Sequence, residues 1–224
     1  MDDFKDTVVL KCDVQKTYSE ISKKSNVWEL LLSVASTYSY NENRYRFWTG
    51  KDKDKLISYL NNKHVICFNG IQFDLPLLLG KHTWDPTFIV ALQEKGFICF
   101  VTDLFIRAMM IIYKENVYSE KLFDKMSKHP LTNFSCYSLT NIAECTLNVK
   151  IQKDYISNTK SVELFKTSRL LELVQCNLEK LRYIKALYEF LIKFKYLING
   201  DYDILKIDKI KSPRDISVDD FMPF

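Results

Sequence analysis

Short apolar runs separated by polar breaks fill the first half of the chain, and longer helical spacing fills the second. Residues 7–14, Thr-Val-Val-Leu-Lys-Cys-Asp-Val, have the β-branched, apolar content of a buried strand, with Asp13 as the acid inside it. A second apolar run over 27–38 and the aromatic run 44–49 flank the polar stretch 40–43 and predict an antiparallel hairpin. Its aromatics, Trp28, Phe47 and Trp48 among them, read as sheet packing before base stacking. Residues 50–55 are a charged helix entry, and Leu56, Ile57, Tyr59 and Leu60 give that short helix an apolar face. Val65-Ile66-Cys67-Phe68 is a buried strand, Asn69-Gly70 turns the chain, and a short apolar helix starts from Phe73 with Pro76 in its first turn. Asp85-Pro86 opens a helix through Gln93 after a loop holding His82 and Trp84. A strand over 97–102 ends at Asp103, and a helix follows over 104–113.

Residues 114–133 are polar and irregular and read as an insertion or flexible region. Over 161–194, Leu170, Leu171, Val174, Leu178, Leu181, Ile184, Leu187 and Leu191 recur at helical spacing. Asn199-Gly200 stops that helix. This divides the chain into one domain over 1–198 and an extension over 199–224, read as a strand plus tail or as a peptide for a protein partner anchored by Phe221, Met222 and Phe224.

Composition adds bounds. The 224 residues suit one domain with additions, and five glycines and five prolines speak against a loop-rich β-sandwich. A net charge of +4 is a mild lean toward anionic partners. Six scattered cysteines form no C-x-x-C pair, against a zinc site, and Cys12, Cys67 and Cys99 lie in strand-like runs as small hydrophobes. No apolar run reaches the ~20 residues of a membrane helix. The expectation is a soluble, intracellular protein with reduced thiols.

Two acids stand out. Asp13 inside an apolar run is costly unless it is paired or holds a cation. Asp74 lies where a strand hands over to a helix, the edge where open α/β sheets bind ligands; a capping role is the alternative. His64 at a strand entry reads as structural. Asp103 reads as a helix N-cap or as a neighbour of a metal site.

The stretch Asn69-Gly70-x-x-Phe73-Asp74-x-Pro76-x-Leu78 resembles the second motif of the DnaQ-like (DEDD, RNase H-like superfamily) 3′–5′ exonucleases, closest to the stand-alone or helicase-associated branch. Asp13-Val14-Gln15-Lys16-Thr17 resembles the first motif, usually Asp-x-Glu-Thr. Residues 138–149 resemble the family's Ser-Leu-x-x-Ile-Ala helix, and Gln175-Cys176-Asn177-Leu178-Glu179 falls where the family writes Tyr-Cys-x-x-Asp. The resemblance covers about residues 7–198. It implies an RNase H-like α/β fold: a three-strand antiparallel meander continued by parallel strands in one mixed sheet, flanked by helices. It implies catalytic positions at Asp13, Gln15, Asp74 and Glu179. Asp13, Asp74 and Glu179 would hold two Mg²⁺ or Mn²⁺ if the site is active, and none if it is not. Asp103, Asn69 and Gln175 would stand beside the metals, with Lys16, Asn69 and Phe73 against a single-stranded nucleic-acid end. Strand alternation would put Asp13 and Gln15 on one face, and helical spacing would put Gln175 and Glu179 on another. Where the family has four acids this chain has three, with Gln15 for Glu, Glu179 for Asp and Gln175 for Tyr. The expected outcome is a degenerate site with weak or lost nuclease activity, weak nucleic-acid binding, and no membrane partner.

Overall fold

The computed structural model describes residues 6–17, 20, 27–80, 97, 99–113 and 134–207. The readings at His82, Trp84, the 85–93 helix, the 114–133 insertion and the 208–224 tail lie outside the described residues, as does the side chain of Trp28.

Strands β1 (Thr7–Val14), β2 (Leu32–Ser39) and β3 (Arg44–Thr49) form an antiparallel meander, and β4 (Lys63–Cys67) and β5 (Cys99–Asp103) join it in parallel. The five-stranded order is β3-β2-β1-β4-β5. This is the mixed α/β sheet of an RNase H-like fold. Every residue of β1 and β2 is buried, so the near-continuous apolar character of β1 is that of a central strand covered on both faces.

Alternation along β1 sorts the two faces. Val8, Leu10 and Cys12 pack with Leu56 and Leu60 of α1 (Lys53–Leu60) and Leu75, Leu77 and Leu78 of α2 (Asp74–Leu79). Val9 packs on the other face with α3 (Leu104–Ile112), α4 (Leu139–Leu147) and the 25-residue helix α6 (Leu170–Phe194). Lys11 and Asp13 continue that second face. Helix α5 (Asn158–Lys166) packs against both β1 and α6.

Three boundaries differ from the sequence reading. The run over 27–38 opens as a 3-10 turn at Val27–Leu30, and the strand starts only after Leu31, which turns the chain at φ 57°. The helical stretch over 161–194 is two helices. Thr167 Oγ1 donates back to Glu163 O, and Ser168 takes φ 56°, which a continuous helix does not tolerate. Finally, the boundary drawn at 198 cuts a hairpin: β6 (Tyr196–Ile198) pairs with β7 (Ile204–Lys206), and Leu205 and Ile207 enter the core.

Candidate functional site

The parallel strands deliver their carboxyl ends to one edge. Asp13 lies one residue from the end of β1, Asp74 opens α2 after β4, and Asp103 ends β5. All three acids are buried: Asp13 is 2% exposed, Asp74 0% and Asp103 2%.

The loop between β4 and α2 is shaped by Asn69, in the left-handed region at φ 57°, and by Gly70, where a Cβ would collide with the Cys67 side chain. Leu75 N–H donates to Gly70 O at 2.8 Å, closing the turn that aims Asp74 back at β1. Asp103 holds this loop. Its carboxylate accepts N–H bonds from Asn69 (2.8 Å), Ile71 (2.9 Å), Phe105 (3.0 Å) and Ile106 (3.3 Å), so one acid both caps α3 and pins the turn. Burial pushes its pKa up to about 6, against the lowering pull of those N–H groups.

Asp74 Oδ1 accepts from Lys11 Nζ at 2.9 Å and from the Cys12 backbone N–H at 3.0 Å. Its Oδ2 is buried with no hydrogen-bond partner among the described residues. Lys11 also stands 5.3 Å over the Phe73 ring. Burial lowers the Lys11 pKa, but the Asp74 and Asp13 charges more than restore it, and it ends above the usual lysine range.

Asp13 is matched from α6. Its Oδ1 accepts from Lys180 Nζ at 2.6 Å and its Oδ2 from Asn177 Nδ2 at 2.9 Å. Asn177 Oδ1 accepts from Ser36 Oγ at 2.5 Å, tying β2 into the same network. Lys180 Nζ also donates to Ser161 Oγ (2.8 Å) and approaches Asn158 Oδ1 (3.4 Å) on α5, so three oxygens serve its three N–H bonds. Lys180 is 3% exposed.

The residues singled out in the sequence therefore separate. Asp13 and Asp74 come together, close enough for the Asp13 charge to be felt at Asp74. Gln15 does not share a strand face with Asp13: β1 ends at Val14 after a shift in pairing at Asp13/Val14, and Gln15 Nε2 donates to Leu32 O at 2.8 Å. Glu179 and Gln175 lie off the buried stripe of α6; Gln175 is exposed, and Glu179 pairs with Arg182 at 2.7 Å. Lys16 is exposed. Phe73 is half-buried beneath Lys11, and Asn69 serves the loop turn with its backbone N–H on Asp103. His64 is buried between Thr7 Oγ1 (3.3 Å) and Thr102 Oγ1 (2.9 Å), bridging β1, β4 and β5.

Lys11, Asn177 and Lys180 went unremarked in the sequence. The signal was available for two of them. Counting back from Leu191 and Leu187 through Ile184 and Leu181 by steps of three and four reaches Lys180, Asn177 and Leu173, all buried. Phasing the stripe instead from Leu170 and Leu171 misleads, because those two side chains are 51% and 81% exposed.

A pair of divalent ions needs carboxylate oxygens free to face it. Here both oxygens of Asp13 and one of Asp74 face N–H donors, two of them ammonium groups that would repel a cation. Among the described residues, no three His, Cys, Asp or Glu side chains gather where they could hold a metal. As arranged, these donors do not fit a two-metal centre.

No family model matches the chain, and no curated protein matches it. Among solved structures it is similar to the family B DNA polymerase from the hyperthermophilic archaeon Pyrobaculum calidifontis, with a TM-score of 0.52 and 13% identity, over 84% of this chain and 25% of that one. The chain thus spans about a quarter of the polymerase's length. At that identity the likeness is one of fold alone: a five-stranded mixed sheet flanked by helices.

Proposed function

We propose that this protein is a DnaQ-like exonuclease-fold protein that binds single-stranded nucleic-acid ends without hydrolysing them. The fold likeness to a DNA polymerase supports the nucleic-acid side of this reading. The observation that carries the non-hydrolytic side is the pairing of both acids with lysine: Lys180 Nζ 2.6 Å from Asp13 and Lys11 Nζ 2.9 Å from Asp74. With a net charge of only +4, the binding is expected to be weak and to fade as salt rises.

The test is a labelled single-stranded DNA or RNA followed by anisotropy and by gel, with Mg²⁺ or Mn²⁺ present. The expected result is salt-sensitive binding with no shortening of the strand. Metal-dependent shortening that disappears in Asp74→Ala would establish an active 3′–5′ exonuclease and overturn the reading. A non-catalytic subunit of a larger nucleic-acid-processing complex is the second reading, favoured by the exposed Leu170 and Leu171 at the start of α6. Absence of any binding, together with a stable complex with a protein partner, would select it.

A further inference from the structure

We propose that Lys11 and Lys180 stand in for divalent cations at this edge of the sheet, so that the acids are neutralised by the chain's own ammonium groups and the fold needs no ion. The inference deepens the non-hydrolytic reading and rests on it.

Three observations converge. First, the Lys180 ammonium has the surroundings of a bound cation: oxygens from Asp13, Ser161 and Asn158, supplied by β1 and α5. Second, the two lysines divide the two acids between them, one ammonium to each carboxylate, at 2.6 and 2.9 Å. Third, both acids are buried, and among the described residues no other cationic side chain forms an ion pair with either. A buried carboxylate left without a counter-charge is strongly unfavourable. Lysine suits the role because its ammonium is a compact point charge on a long stem, able to reach from β1 or α6 to the acid.

The consequence is that removing an ammonium leaves an acid, and a space beside it, that a small divalent ion can fill. At the Lys11 site, Asp74 Oδ2, buried and without a hydrogen-bond partner among the described residues, offers one oxygen already. The experiment is thermal unfolding of the full chain with and without excess Mn²⁺, for the unchanged protein, Lys180→Ala, and Lys180→Ala combined with Asp13→Asn. The unchanged protein is expected to ignore Mn²⁺. Lys180→Ala is expected to melt about 10 °C lower without the ion and to regain several degrees with it. The double variant, lacking the charge that attracts the ion, is expected to lose the response. A rise in the melting temperature of the unchanged protein with Mn²⁺, or a folded Lys180→Ala that ignores it, overturns the proposal. If Lys180→Ala folds only in Mn²⁺, the proposal stands. If it folds in neither condition, Lys11→Ala decides, since Asp74 keeps the Cys12 N–H; an Mn²⁺ response there supports the proposal, and its absence overturns it. Strand shortening by the unchanged protein would sink the non-hydrolytic reading, whereas an inert protein whose folded variants ignore Mn²⁺ sinks this inference alone.

Discussion

Two buried acid sites share one edge of the sheet and are stabilised in opposite ways. Asp103 is met by four backbone N–H groups from the turn at 69–71 and the first turn of α3. Asp13 and Asp74 are met chiefly by side chains, two ammonium groups and the Asn177 amide. The difference lies in what each arrangement requires of the fold. Backbone donors come with the turn and the helix terminus, so Asp103 adds one charge and satisfies donors that would otherwise be orphaned. The lysines each bring a second charge into the interior, which is tolerable only where the partner acid and further oxygens are already in place. Asp103 therefore builds the edge, and Lys11 and Lys180 neutralise what the edge brings together.

That contrast can be broken at either site. The largest effect is expected at Lys180. Lys180→Ala strands the Asp13 charge, and a loss of about 3–5 kcal/mol in denaturant unfolding is expected. At Asp103 the signature is in pH. A folded-state pKa of about 6 against an ordinary value of 3.8 means that the native state holds the extra proton between those values. Stability is therefore expected to fall as pH rises from about 4 to about 6, by on the order of 3 kcal/mol, and then to level off. Asp103→Asn should remove that slope; an unchanged slope in the variant would assign it to other groups. Asn177→Leu leaves Asp13 Oδ2 and Ser36 Oγ without their partner, at a cost of about 1–3 kcal/mol, with Lys180 still in place. The smallest effect is expected at Glu179. Its pair with Arg182 is surface-type, and Glu179→Ala should stay within about 0.5 kcal/mol and leave nucleic-acid binding unchanged. A large loss there would return Glu179 to the site.

Much of the sheet was legible because period and length decide strands locally. Residues 7–14 and 44–49 form the strands their patterns predict, and Asn69-Gly70 with Pro76 marks the turn into α2. Asp13 stood out because an acid in an apolar run must be compensated, and Asp74 because it lies where a strand hands over to a helix. Which group compensates each acid was not legible. The shift in pairing at Asp13/Val14 sends Gln15 to the Leu32 carbonyl, and the rotation of α6 turns Lys180 inward and Glu179 outward, although the two are adjacent in sequence.

By itself, then, the sequence determined the strand order's raw material, the strand-to-helix corner and the two acids that needed an opposite charge. Only the tertiary structure decided where that charge comes from. A one-residue step on a helix turns a side chain by about 100°, so the phase of α6 against the sheet chooses between an acid and a lysine at Asp13. That phase is set by the packing of Leu173, Leu181, Ile184 and Leu191 along the buried stripe of the helix, and the acid's counter-charge follows from it.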